Sequence, residues 1–385
     1  MNLNDYLNPV ELDKPNDENL PGPFSISRTI KIHTSSNPVN SLENIQIALL
    51  GLPEDRNAVV KGCMQAPNPI REKLYALNRH NRDVNIYDLG NIKRGASAAD
   101  TYIGLRDVLH QLFKENITVI LLGGSQDLSW ACTQACDLMR RKTNLVTIDN
   151  RLDFDHSREQ VSSRNYLNVI LGSNNLFNYT NFAHQIYFLA QSQLQYLEEQ
   201  NFASYGLGQI RADLTSCEPV FRDATLVSFD INAIKQADAP ASAFSSPNGL
   251  AGEEACQLAR YAGISHNVNA FGTFNYIPAR DINNQTAHLV AHLVWYFIDG
   301  FTFRVTEHPM VDKHGFKEFI VPMNKIGDKL HFFKSNRTDK WWIMVPARQD
   351  NAKTVYMACS AKDYDTACAN DIPPRWWEMY AKLNP

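Results

Sequence analysis

No stretch of this chain approaches the ~18 uninterrupted apolar residues of a membrane-spanning helix. The most apolar segment, around Leu289 to Phe297, is broken by His292 and is too short. No basic N-terminal segment leads into an apolar run, so a signal peptide is not expected. Neither sign of charge dominates: 37 Lys and Arg face 41 Asp and Glu, a net charge of −4. Such a surface gives no reason to expect nucleic acid or an acidic membrane as a partner. The seven cysteines (Cys63, Cys132, Cys136, Cys217, Cys256, Cys359 and Cys368) are odd in number and scattered. That pattern fits reduced thiols and a cytoplasmic location rather than a disulfide framework. Cys132 and Cys136 would share a helix face, and two small buried side chains suit them better than half a zinc site. No lysine follows Gly123-Gly124 in the register a phosphate loop needs. Ser129 and Ser163 lack the spacing to a His and an Asp that a nucleophile triad requires, so turn or capping roles suit them. The chain shows no internal repeat and no low-complexity tract.

What is present is a chain of 385 residues with ordinary globular composition, long enough for one large α/β domain plus an appendage. Residues 1–44 are polar and interrupted by Pro9, Pro15, Pro21, Pro23 and Pro38, which reads as an irregular arm on the main domain. Apolar runs then alternate with helical periodicity. Strands are expected at 45–50, 84–89, 117–122, 144–149, 185–189, 224–230 and 268–275. Helices are expected at 67–77, 98–115, 127–140, 163–171, 252–262 and 285–298. Strand–helix alternation means βαβ units and a mostly parallel, doubly wound sheet. After Gly300 four short β-like runs, at 316–321, 329–334, 341–345 and 354–359, predict an antiparallel appendage over 301–385, with a short helix after Trp377. The pairs Trp341-Trp342 and Trp376-Trp377 are expected to pack rather than to bind.

Three segments sit where strands end and loops begin, the place where open parallel sheets bind ligands. They are Gly123-Gly124-Ser125-Gln126-Asp127, Asp149-Asn150-Arg151-Leu152-Asp153 and Ser228-Phe229-Asp230-Ile231-Asn232. They resemble the GGxH, DAHxD and SFDxD motifs of the ureohydrolase superfamily (arginase, agmatinase, formimidoylglutamase). Further likeness lies in Gly51-Leu52-Pro53, Ala66-Pro67, Asp88-Leu89-Gly90, Ala239-Pro240, Pro247 to Leu250, Asn275, Asp281 and Thr286-Ala287. It spans roughly residues 45–300 and is nearest to formimidoylglutamase-like proteins. The resemblance implies a three-layer α/β/α fold with about eight sheet strands, and a homo-oligomer. It also implies a two-manganese site with two His and four Asp ligands.

The matching positions here read Gln126, Asp149, Arg151, Asp153, Asp230 and Asn232. Both histidines and one aspartate are replaced. Arginine has no lone pair to donate and would repel a divalent cation. Thr273 stands where the superfamily has a substrate-anchoring glutamate. Thr273, Asp127 and Ser163 are the candidate cleft residues. The favoured expectation is a non-catalytic pseudoenzyme with no cofactor and a binding or assembly role, holding a guanidino or formimino metabolite or a protein partner. In it, Arg151 would neutralise the three carboxylates by direct, bidentate pairing. The alternative is a hydrolase of linear amidines using one manganese at Asp149, Asp153 and Asp230, with Gln126, Asp127 or His156 completing the shell.

Overall fold

The computed structural model describes residues 1–12, 22–155, 157, 159–324, 327–347 and 354–384. Pro15, Pro21 and His156 lie outside them. The strands are β1 (Leu7–Asn8), β2 (Lys31–Ile32), β3 (Ile47–Gly51), β4 (Ile86–Ile92), β5 (Thr118–Leu122), β6 (Thr143–Ile148), β7 (Leu176–His184), β8 (Ala203–Gly206), β9 (Leu226–Asp230), β10 (Ala270–Phe274), β11 (Phe316–Met323), β12 (Asp328–Ser335), β13 (Trp341–Val345) and β14 (Val355–Cys359). The helices are α1 (Pro67–Ala76), α2 (Ala98–Lys114), α3 (Ser129–Leu138), α4 (Tyr166–Leu171), α5 (Gln191–Glu199), α6 (Leu207–Ala212), α7 (Glu218–Asp223), α8 (Gly252–Ile264), α9 (Gln285–Phe301), α10 (Ala361–Cys368) and α11 (Pro374–Leu383).

Eight parallel strands form the main sheet in the order β4-β3-β5-β10-β9-β6-β7-β8. The inner strands are apolar on both faces, as strands covered on both sides must be. The side-chain period of two sorts them into two cores. Ile47, Leu49, Ile120 and Leu122 pack with Ile70 of α1, Leu258 of α8 and Val294 of α9. Ala48, Leu50, Val119 and Leu121 pack with Leu109 of α2, Ala135 of α3 and Leu167 of α4. These are the three layers. Cys132 and Cys136 are buried in the second core, and all seven cysteines are free. No described helix is long and apolar enough to cross a membrane.

The structure departs from the sequence expectations in several places. The arm is not wholly irregular: β1 pairs antiparallel and β2 parallel with β4, closing that edge of the sheet. The strand expected at 185–189 lies just before it, as β7, while Ile186–Phe188 forms a 3₁₀ turn. Asn178 and Asn181 disguise β7 because asparagine is depleted in strands. Here the buried Asn181 amide donates to Thr147 Oγ1 at 3.1 Å and to the carbonyls of Asp149 and Arg151. Finally, α5, β8, α6, α7 and α10 were not expected, and the closing helix begins earlier than expected, with Pro374 in its first turn and Trp376-Trp377 inside it.

The strands β11-β12-β13-β14 form a separate antiparallel sheet with its own core of Leu330, Phe332, Ile343, Met357 and Trp376. It docks on the main domain through Arg222 of α7. This arginine is 6% exposed and donates to the carbonyls of Trp341 (3.0 Å) and Cys359 (2.6 Å). It also pairs with Glu218 and lies over the Trp342 ring. Trp341 stacks on Tyr364, Trp376 donates to the Met344 carbonyl, and Trp377 is half exposed. Replacing Arg222 by Met would remove its charge-assisted hydrogen bonds to two carbonyls of the appendage. We expect a loss of about 2–4 kcal/mol in urea unfolding and faster proteolysis of the appendage.

Candidate metal centre

After β5 the chain jumps across the sheet to β6 and only later inserts β9 and β10 between them. The loops after these four neighbouring strands therefore converge at their carboxyl ends, the usual place for a ligand in such a sheet. Gly123 and Gly124 make the first turn. Both have φ of +75°, and a Cβ would lie 2.5 Å from Ala66 Cβ at Gly123 and 2.7 Å from the Leu52 carbonyl at Gly124. Only glycine satisfies both constraints. The turn delivers Gln126 beneath Asp149 after β6 and Asp230 at the end of β9.

Asp149, Asp153 and Asp230 are buried, and each places a carboxylate oxygen within 4.8 Å of the others. Each has an environment that disfavours its charge. Burial, then Asp230 and Asp153, holds the Asp149 carboxyl well above its usual range. Burial and the charge of Asp230 push Asp153 to about 8. Burial pushes Asp230 to about 6, opposed by hydrogen bonds from Asn232 and Asn275.

Amides supply most of the remaining donors. Asp230 accepts from the Asn232 backbone N–H (2.7 Å), Asn232 Nδ2 (3.0 Å) and Asn275 Nδ2 (2.8 Å). Gln126, fully buried, satisfies all its neighbours when its nitrogen donates to Asp149 Oδ2 (2.9 Å) and Asp230 Oδ2 (3.1 Å). Its oxygen then accepts from the hydroxyls of Tyr166 and Ser228, both at 3.2 Å. In that orientation the amide oxygen, the atom a fourth metal ligand would use, faces away from the carboxylates.

The other substituted positions behave differently from one another. Asn232 Oδ1 accepts from the Phe244 backbone at 2.6 Å, so its NH2 points into the cluster, a donor where a second metal needs an acceptor. Arg151 does not pair directly with the carboxylates. Its guanidinium lies 4.0 Å from the Phe188 ring centroid and 5.6 Å from that of Phe244. Its buried Nε has no hydrogen-bond partner among the described residues. Stacking on an apolar ring keeps the charge near the cluster without contact, and its attraction still lowers Asp153 and Asp230.

The expected cleft residues separate. Ser163 lines the cavity, and its Oγ accepts from the Val59 backbone at 3.1 Å. Asp127 does not reach it: its carboxylate is buried against the Tyr102 hydroxyl, which also takes a bond from Asn57. Thr273 lies inside β10 with its hydroxyl on the Leu121 carbonyl at 3.4 Å. It does not line the cavity. Two residues of the cleft, Arg164 and Phe244, carried no signal in the sequence. Asn275 carried one, as the single matching residue of its segment, and its φ of +66° aims the amide at Asp230.

The cavity above the triad is lined by the three aspartates, Arg151, Arg164 and Phe244, and measures about 20 Å³. That holds about one water or a bare ion. The residues fit one divalent cation and do not fit two, because the second position offers a guanidinium and an amide NH2. Without metal, the folded state keeps protons on groups that would be ionised in the unfolded chain. Folded pKa values lie above unfolded ones, so stability falls as pH rises between 3.8 and about 8. Metal-free protein should therefore melt lower at about pH 9 than at about pH 5, and added manganese should reverse part of the loss.

Comparison with known proteins bears on the identity of the site. The Arginase family model matches residues 45–299. The formimidoylglutamase of Streptococcus gordonii is 22% identical over 287 residues, covering 66% of this chain and 84% of that protein. The Bacillus subtilis formimidoylglutamase is 20% identical, covering 66% and 86%. The crystal structure of the Bacillus subtilis enzyme superposes with a TM-score of 0.67 at 16% identity, covering 78% of this chain and 98% of that one. Trypanosoma cruzi formiminoglutamase with Mn2+ superposes with a TM-score of 0.65 at 20% identity, covering 69% and 97%. The chain belongs to the arginase family and has the α/β fold of the ureohydrolases, with formimidoylglutamases among its relatives.

Proposed function

We propose that this protein is a C–N hydrolase of linear amidines, such as formimidoylglutamate, agmatine or arginine, built on a single-cation site. The observation that carries this reading is the convergence of Asp149, Asp153 and Asp230 on an ion-sized cavity in an arginase-family chain. The formimidoylglutamase names of its relatives favour turnover over the non-catalytic reading. Three carboxylates would hold the cation. Bound there, a divalent ion would supply Lewis-acid activation of water. Gln126 and Asn275 fix the carboxylates that face it, as outer partners of metal ligands commonly do. Arg151 and Arg164 at the mouth would draw in a substrate that carries a carboxylate.

A second reading is a non-catalytic binding or assembly protein with the same fold. It is favoured by the three amide donors that already satisfy Asp230 and by the guanidinium beside the cluster. A homo-oligomer or a protein partner, a cytoplasmic location and an appendage acting as its own domain fit either reading.

Release of formamide or urea from these three substrates, with and without manganese, separates the two. The first reading expects manganese-dependent turnover that Asp149→Asn lowers by about 100-fold or more. No product above the Asp149→Asn background would leave the second.

A further inference from the structure

A second cavity, about 260 Å³, lies at the opposite end of the main sheet. One wall is made by residues before and at the start of β6, β7, β8 and β9. The other is made by β14 and α11 of the appendage, which lies outside the family-matched residues. Its size sits near the lower end of small-molecule sites, about 300–1,000 Å³.

Four charged side chains face it: Asp223, Arg375, Glu378 and Lys382. The last three share one face of α11. Among the described residues Arg375 donates one hydrogen bond, to the Ala358 carbonyl at 2.9 Å, and it stands 3.7 Å from Asp223. A guanidinium has five N–H donors, so most are unspent. Glu378 and Lys382 have the i,i+4 spacing that favours a helix ion pair. They do not form one. Lys382 turns to the neutral Asn178 Oδ1 at 2.6 Å and lies over the Phe202 ring. Glu378 makes no hydrogen bond among the described residues, although it is half buried. Across the cavity, Asn144 Oδ1 is a buried acceptor with no partner among the described residues.

The cavity thus holds an unspent carboxylate, unspent cationic donors and an orphan acceptor. Two cations balance two anions, so a net anion such as phosphate gains no net attraction there. A neutral molecule bearing both charges does. We propose that this cavity binds a small zwitterion, a free α-amino acid. Its carboxylate meets Arg375 and Lys382, its ammonium meets Glu378 and Asn144, and Phe177 and Met357 flank its side chain.

Calorimetric titration of the full chain with three probes tests this: L-norvaline, which has both groups, pentanoate, which has only the carboxylate, and butylamine, which has only the amine. L-Norvaline should bind, and each half-molecule should bind about tenfold or more weaker. Glu378→Gln keeps the shape and removes the charge; Lys382→Met keeps the stem. Each should weaken L-norvaline about tenfold or more, with the thermal transition retained. No heat with L-norvaline at millimolar concentration, pentanoate binding as tightly as L-norvaline, or both variants binding like the parent would overturn the proposal.

Discussion

Three buried carboxylates within 4.8 Å of one another repel, and the functional end of this molecule is organised around what offsets that repulsion. At an effective dielectric constant of about 20, each pair of charges at that distance costs roughly 3–4 kcal/mol. A hydrogen bond to a charged group returns about 1.5–3 kcal/mol. The amides of Gln126, Asn232 and Asn275 therefore offset part of the repulsion and leave a remainder for protons or a cation. Protons offset it at low pH, and burial with the neighbouring charges holds the Asp149 and Asp153 carboxyls above their usual range. At neutral pH a single cation would offset it. A second cation would meet an amide NH2 and a guanidinium, and both would oppose it.

The repulsion is sustained by the rest of the fold. The crossover from β5 to β6, later filled by β9 and β10, brings the loop residues together, and the two apolar layers hold the strands in register. The glycine turn at 123–124 and the left-handed Asn275 aim their amides at the cluster with little freedom to move. A site set on strand ends is more exact than one on long loops. The appendage contributes nothing to the triad. It covers the opposite end of the sheet, where its own polar cavity lies.

Most of this architecture was legible in the sequence. Parallel strands covered on both faces are written as apolar runs such as Ile47 to Leu50 and Thr118 to Leu122, and the alternating helices fix their parallel direction. The triad was legible because aspartates follow two of those runs. β7 was not, because Asn178 and Asn181 look like loop residues until the partners of the buried Asn181 are known. Nor were the orientations of Gln126 and Arg151. Residue type names an amide or a guanidinium, but only the Tyr166 and Ser228 hydroxyls turn the glutamine, and only Phe188 captures the arginine. Asp127, adjacent in sequence to Gln126, faces the other way because a 3₁₀ turn places it on Tyr102.

The central claim is that this site has room and charge for one cation where the resemblance to the ureohydrolases implies two. Elemental mass spectrometry of the protein after saturation with manganese and exhaustive dialysis tests it most directly, with the Asp230→Asn variant in parallel. The account predicts one manganese per chain, lost in the variant. Two per chain would contradict the roles assigned to Arg151 and Asn232, and none would contradict the assignment of the triad as a metal centre.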